Sequence, residues 1–69
     1  MNTIRWDITA CVDSGGVAHM KHLKGHKELI VIEKEGTYAI SVHRNEETIL
    51  SRFFDDEDKA LIFCRRCMA

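Results

Sequence analysis

The order of apolar and polar residues predicts strands over most of the chain. Residues 3–13 alternate between the two kinds, and a period of two is typical of a half-buried strand. The side chains expected to face the core are Ile4, Trp6, Ile8, Ala10 and Val12. Ser14, Gly15 and Gly16 come next, and this composition predicts a turn.

Residues 28–58 predict an antiparallel meander of three strands that leads into a helix. The first strand is the run 29–32, whose β-branched residues suit a pleated surface. Glu35 and Gly36 follow as a tight turn, because glycine adopts positive φ without strain. Residues 37–43 then alternate, which predicts the second strand. Its inward side chains are expected to be Tyr38, Ile40 and Val42.

The third strand of the meander is predicted at residues 48–54, after a turn at Asn45 and Glu46. Its inward face is ambiguous, because both faces carry large apolar side chains. The two apolar pairs are Ile49 with Phe53 and Leu50 with Phe54. We therefore expect both faces to be covered, one by the helix and the other by a partner or a curled edge of the sheet.

Two conformations fit residues 17–23. As a strand, the segment would pair back on the first strand, and the preceding glycines favour this hairpin. As a helix, it would place Val17, Met20, Lys21 and Lys24 on one face, but Gly25 limits it to about two turns, which are marginal alone. The strand is the favoured alternative, with a loop at 24–27.

A C-terminal helix is predicted after residue 55. Asp55 is a suitable N-cap, and the acidic residues behind it match the positive end of the helix dipole. Arg65 and Arg66 lie near the negative end, where cations are favourable. The stripe expected to face the sheet is Ala60, Leu61, Phe63, Cys64, Cys67 and Met68.

Together these elements predict a single α+β domain that spans residues 1–69. Its sheet has four or five antiparallel strands in a meander, and the C-terminal helix packs on one face. At least one edge strand is left unpaired, which favours a homodimer or another partner. A chain of 69 residues buries only about 60% of its unfolded surface, so we expect modest stability.

Charge is distributed unevenly along the chain, although the net charge is only −1. Residues 28–58 carry three Lys or Arg against nine Asp or Glu, whereas both flanking segments are basic. The chain has no apolar run long enough to span a membrane and no signal peptide, so we expect a cytoplasmic protein. Three cysteines are an odd number, which disfavours a disulfide framework.

The cysteines and histidines suggest chemistry only weakly. Cys64 and Cys67 form a CxxC pair near the end of the helix, where the dipole opposes a thiolate, so a redox role is not expected. A structural zinc site is an alternative, built from these cysteines and two of three histidines. Those histidines are His19, His22 and His26. Cys11 and His43 could be adjacent, but no spacing in the sequence requires it, and we assign no catalytic residue and no cofactor.

The acidic residues of the meander favour a protein-binding role. Carboxylates spread over one side of a small domain can enter a groove lined with Lys and Arg, in competition with nucleic acid. The predicted partner contacts are Glu33, Glu35, Glu46, Glu47, Asp55, Asp56 and Glu57. Direct binding to nucleic acid is not expected, because the sequence pI is about 6.4.

In size, charge layout and lack of a catalytic motif, the chain resembles the small phage-encoded inhibitors of bacterial defence, such as anti-CRISPR proteins. The resemblance implies a non-enzymatic inhibitor that acts in the host cytoplasm on a nucleic-acid-handling protein complex. It rests on no shared motif and assigns no residue. The alternative function is a zinc-stabilised small domain with a nucleic-acid-binding role.

Overall fold

The computed structural model describes residues 4–12 and 15–69, which form five strands followed by one helix. The strands are β1 (Ile8–Cys11), β2 (Val17–Leu23), β3 (Lys27–Lys34), β4 (Thr37–Arg44) and β5 (Glu47–Phe54). The helix α1 is Glu57–Met68. All neighbouring strands are antiparallel, and the sheet order β1-β2-β3-β4-β5 is the order of the chain. This confirms the predicted α+β meander.

Residues 17–23 form strand β2, as favoured, and the helical alternative for this segment is wrong. Two turns of the meander also lie where they were predicted. Glu35 and Gly36 connect β3 to β4 with φ values of 49° and 77°, and Asn45 and Glu46 connect β4 to β5 with 51° and 68°. Positive φ at both central residues is the geometry that joins twisted strands in a two-residue hairpin.

The core lies between one face of the sheet and the helix. Its buried side chains alternate along the two central strands and recur on one stripe of α1, as predicted from the two periodicities. They are Leu29, Val31, Ile40, Val42, Ala60 and Cys64. Trp6, Tyr38, Leu50 and Phe54 are among the half-buried side chains that pack against them.

A β-bulge determines which face of strand β5 packs on the core. Leu50 pairs with Val42 and Thr48 pairs with His43, so Ile49 has no partner in the register. Leu50 and Phe54 therefore join the core, whereas Ile49 and Phe53 are exposed. An extra residue on one strand bends the ladder in this way.

The predicted inward face of the first strand is wrong in part. The strand begins only at Ile8, and Asp7 forms a bend that donates its N–H to the Met20 carbonyl at 3.0 Å. Trp6 packs on the core before the bend, but Ile8 and Ala10 lie on the opposite face and are exposed. A bend interrupts the alternation, so periodicity cannot be carried across it. The ends of the predicted strand, residues 3 and 13, and Ser14 of the predicted turn lie outside the described residues.

The helix N-cap is Asp56, one residue after the predicted Asp55. Its backbone is extended, and its Oδ1 accepts hydrogen bonds from the N–H groups of Asp58 at 2.8 Å and Lys59 at 3.2 Å. These N–H groups have no partner inside the helix, which is why an acceptor at this position stabilises the first turn.

We expect Asp56→Ala to lower the free energy of unfolding by about 1 kcal/mol, since the two helix N–H groups lose their acceptor. The matched control Asp55→Ala removes the same charge one residue earlier and should change it by less than about 0.5 kcal/mol. Urea unfolding followed by circular dichroism measures both. Equal effects of the two substitutions would contradict the assignment of Asp56 as the cap.

Candidate functional site

The strand register gathers most of the predicted partner contacts at one end of the domain. Glu33 at the end of β3 pairs with Tyr38, and Tyr38 pairs with Phe54 at the end of β5. The turn between β3 and β4 and the start of α1 therefore lie at this same end. We call it the acidic end, and its carboxylates belong to Glu33, Glu35, Asp55, Asp56, Glu57 and Asp58.

Glu46 and Glu47 lie at the opposite end, although they were predicted to share the same surface. Glu47 pairs with Arg44 at the start of β5, seven residues before Phe54. At roughly 3.3 Å per residue this separates it from the acidic end by roughly 23 Å. Glu46 instead borders a shallow groove together with His22, His26 and Lys27. The predicted acidic face is thus two separate groups.

The carboxylates of the acidic end are only sparsely paired. Among residues 4–12 and 15–69, the ion pairs within 4.0 Å are His19 with Glu33 at 2.7 Å and Lys21 with Asp7 at 4.0 Å. Apart from Glu33, no carboxylate of the acidic end takes part in either pair. Much of their negative charge is consequently exposed to solvent, although Lys34 and Lys59 lie at the same end.

Tyr38 lies beside this charge, in a small cavity that Glu33 and Glu57 also line. Its hydroxyl donates a hydrogen bond to Glu57 Oε2 at 3.4 Å. Desolvation, and then the negative charge of Glu57, raise the pKa of Tyr38 above its usual value. This rise in pKa agrees with the carboxylates that surround Tyr38, because negative neighbours disfavour the charged phenolate.

Basic side chains collect at the other end, where strand β2 ends and the helix terminates. Arg65 and Arg66 lie in the last turn of α1. Lys24 and Lys27 line a cavity against the same end of the helix, next to Cys67. Glu46 and Glu47 lie at this end too, so the domain is polarised along its strands only in part. An asymmetric field governs the direction from which charged partners approach.

A hydrogen-bonded group around His19 was not predicted from the sequence. Thr9 Oγ1 lies 3.3 Å from His19 Nδ1, and Glu33 Oε2 lies 2.7 Å from His19 Nε2. Trp6 stacks on the same ring at a centroid distance of 5.0 Å. Both ring nitrogens are engaged within the protein, so His19 ties β1 to β3 across β2 rather than presenting a free base. Only the strand register reveals this group, because its members are ten and fourteen residues apart.

Cys11 and His43 are not adjacent. Cys11 pairs with Val17 on the helix side of the sheet, whereas His43 lies on the other side, on a strand separated from β1 by β2 and β3. His43 bonds to Ser41 at 2.9 Å and to Thr48 at 3.1 Å. The structure thus gives no support to a thiol–imidazole pair here.

The residues of the zinc alternative are also dispersed. His19 and His22 are three residues apart on one strand, so they point to opposite faces of the sheet, and His26 lies in the turn after β2. Cys64 is buried in the core, and burial raises the pKa of its thiol to about 11. Within the described ranges, no group of three or more His, Cys, Asp or Glu side chains is arranged to hold a metal ion.

Comparisons with other proteins do not add to the description of the site. No protein-family model, no curated protein and no solved structure matches the chain. Among the described residues, no helix is both long and apolar enough to cross a membrane.

Proposed function

We propose that this chain is a non-enzymatic protein-binding module that inhibits its partner, with the acidic end occupying a cationic groove that otherwise binds nucleic acid. The observation that carries the proposal is the clustering of six carboxylates at one end, of which Glu33 alone has an ion-pair partner among the described residues. Phage-encoded inhibitors of bacterial defence, the class to which anti-CRISPR proteins belong, are the kind of protein we infer, acting in the cytoplasm of the host.

The physical basis is competition for one cationic surface. Double-stranded DNA presents one negative charge for about every 1.7 Å of its axis, and proteins bind it through Lys and Arg. A rigid set of carboxylates at one end of a small domain presents similar charge to the same groove. Long-range attraction steers such a complex together, and it weakens as salt rises. Binding of this kind requires no catalytic residue.

Two features favour binding over catalysis. The His19 imidazole is bonded at both nitrogens, and the Cys64 thiol is buried with a raised pKa, so it remains protonated at neutral pH. An activated nucleophile needs a free base beside it or a lowered pKa. Neither side chain meets that requirement, whereas the carboxylates of Glu35, Asp55 and Asp58 at the acidic end are exposed.

Charge-reversal variants of the chain test the proposal. The probes are guide-loaded CRISPR effector complexes of several types. Each complex is bound to a fluorescent target duplex, and the chain is titrated in while anisotropy reports the bound DNA. We expect the wild-type chain to displace DNA from at least one complex. The double variant Glu35→Lys with Asp55→Lys should need about 10- to 100-fold more protein, because reversing contacts of a charged interface weakens it strongly.

The matched control is Glu46→Lys with Glu47→Lys, which changes the net charge equally at the opposite end. We expect it to act like the wild-type chain. A comparable loss in both double variants would contradict a binding surface confined to the acidic end. Failure of the wild-type chain to displace DNA from every complex would contradict the inhibitor class. Asp56 is left intact throughout, because it caps the helix.

A further inference from the structure

In the part of the chain that the structure describes, no element covers the face of the sheet opposite the helix, and the centre of that face is mainly apolar. Two rows of side chains cross the strands on this face, and each strand contributes one residue to each row. The strand register gives the members of each row. The first row is Ala10, Ala18, Ile32, Ala39 and Phe53. The second row is Ile8, Met20, Ile30, Ser41 and Ser51. We call these two rows the open face.

Three of the five large apolar side chains in the open face are exposed, and the other two, Met20 and Ile30, are half-buried. Phe53 is 78% exposed, Ile8 51% and Ile32 41%. A contiguous apolar patch on a folded domain marks a surface that contacts another molecule, whereas scattered apolar residues do not. The rows join these residues into one patch that crosses all five strands.

The surface area of the chain is larger than the average for a monomer of its mass. Its accessible surface is 5115 Å² for 8.0 kDa, whereas a folded monomer of this mass is expected to expose about 4450 Å². The excess is about 660 Å², close to the roughly 800 Å² that each partner buries in a standard interface.

We propose that the open face binds the open face of a second copy of this chain, around a two-fold axis that crosses the strands between the two rows. Face-to-face sheets pack about 10 Å apart with their strands nearly aligned. Because a two-fold interface uses the same patch on both chains, the first row of each copy lies over the second row of the other. The inference does not depend on the proposed function.

The sizes of the side chains fit this arrangement. At its centre, Ile30 faces Ile32 of the second copy, and the reciprocal contact is identical. Towards β1, Met20 faces the small Ala18 of the second copy. Towards the other edge, the large and exposed Phe53 faces Ser51 of the second copy. On either side of the central strand β3, large side chains thus meet small ones, which is how two sheet faces interdigitate.

The positions of two charged residues favour a two-fold axis across the strands over one along them. Glu28 and Lys34 lie on the same strand and the same side as Ile30 and Ile32, beyond each end of the pair. An axis across the strands puts Glu28 of one copy against Lys34 of the other, twice. An axis along the strands would instead place Glu28 against Glu28 and Lys34 against Lys34, and like charges in an interface are unfavourable.

Sedimentation velocity of the full chain at about 100 µM tests the inference. We expect the wild-type chain to sediment as a dimer of about 16 kDa, twice its 8.0 kDa. Ile32→Lys should give a folded monomer. The matched control Ile62→Lys alters an isoleucine on the helix that is at least as exposed, 51% against 41% for Ile32, and should remain a dimer. A monomeric wild-type chain, or a control that dissociates as far as Ile32→Lys, would overturn the proposal.

A charge swap tests the arrangement without touching the apolar residues. Glu28→Lys and Lys34→Glu should each raise the dissociation constant of the dimer about tenfold or more, and the double variant should bring it back to near the wild-type value. Circular dichroism establishes that each variant is folded. If the double variant dissociates as much as the two single variants combined, the Glu28–Lys34 pairing and this two-fold axis are wrong.

Discussion

Replacing Ile40 with alanine is expected to remove a large part of the stability of the fold. Ile40 is fully buried on the central part of β4, between its cross-strand partner Val31 and the helix. Removing three carbons from such a site costs about 2 to 5 kcal/mol, because the transfer free energy is lost and a cavity remains. A domain of 69 residues has a total stability of only about 3 to 10 kcal/mol.

Urea unfolding followed by tryptophan fluorescence measures this loss, since Trp6 packs against the same core. The matched control is Ile49→Ala, in which the same atoms are removed from the bulge of β5, where the side chain is 49% exposed. We expect the control to change the free energy of unfolding by less than about 1 kcal/mol. Equal losses in both variants would contradict the placement of the core on the helix side.

A second large effect is expected at Gly16, where the chain enters β2. A Cβ atom at this position would lie 2.7 Å from the Glu33 carbonyl oxygen, 3.2 Å from Val12 Cγ2 and 3.3 Å from Lys34 Cβ. The first contact is with backbone, which cannot move without distorting β3. We therefore expect Gly16→Ala to destabilise the fold by about 1 to 3 kcal/mol, the usual penalty of overpacking.

Gly15→Asn is the matched control for Gly16→Ala. Gly15 has a φ of 85° and nothing within 4 Å of its ideal Cβ position, and asparagine tolerates positive φ better than other residues. Its effect on the urea midpoint should be the smaller of the two. A harmless Gly16→Ala would mean that β2 and β3 do not approach each other as closely here as the structure shows.

The parts of the fold that local rules govern could be predicted from the sequence. Ile40 and Val42 face the core because β4 alternates without interruption, and the two tight turns follow from Gly36 and Asn45. The bounds of the strands and the faces that their side chains occupy were harder to predict where a single residue interrupts the alternation. The bend at Asp7 moves Ile8 to the open face, and the bulge at Ile49 sets the face of β5. Neither the bend nor the bulge can be recognised from the alternation of apolar and polar residues.

The candidate surfaces depended more on register than on composition. The acidic residues were identified from the sequence, but their division between two ends follows only from the pairing of Glu33 with Tyr38 and of Glu47 with Arg44. The open face was equally hidden. Its residues come from five strands, and each strand alone contributes one or two apolar side chains that look unremarkable in sequence.

The most direct test of the proposed function is native mass spectrometry of a three-component mixture. It contains the chain, the effector complex from which the chain displaces DNA, and the target duplex, in low-salt buffer. We expect two separate species, effector with chain and effector with duplex, and a shift towards the first as more chain is added. An abundant species that holds effector, chain and duplex together would contradict competition for one cationic groove.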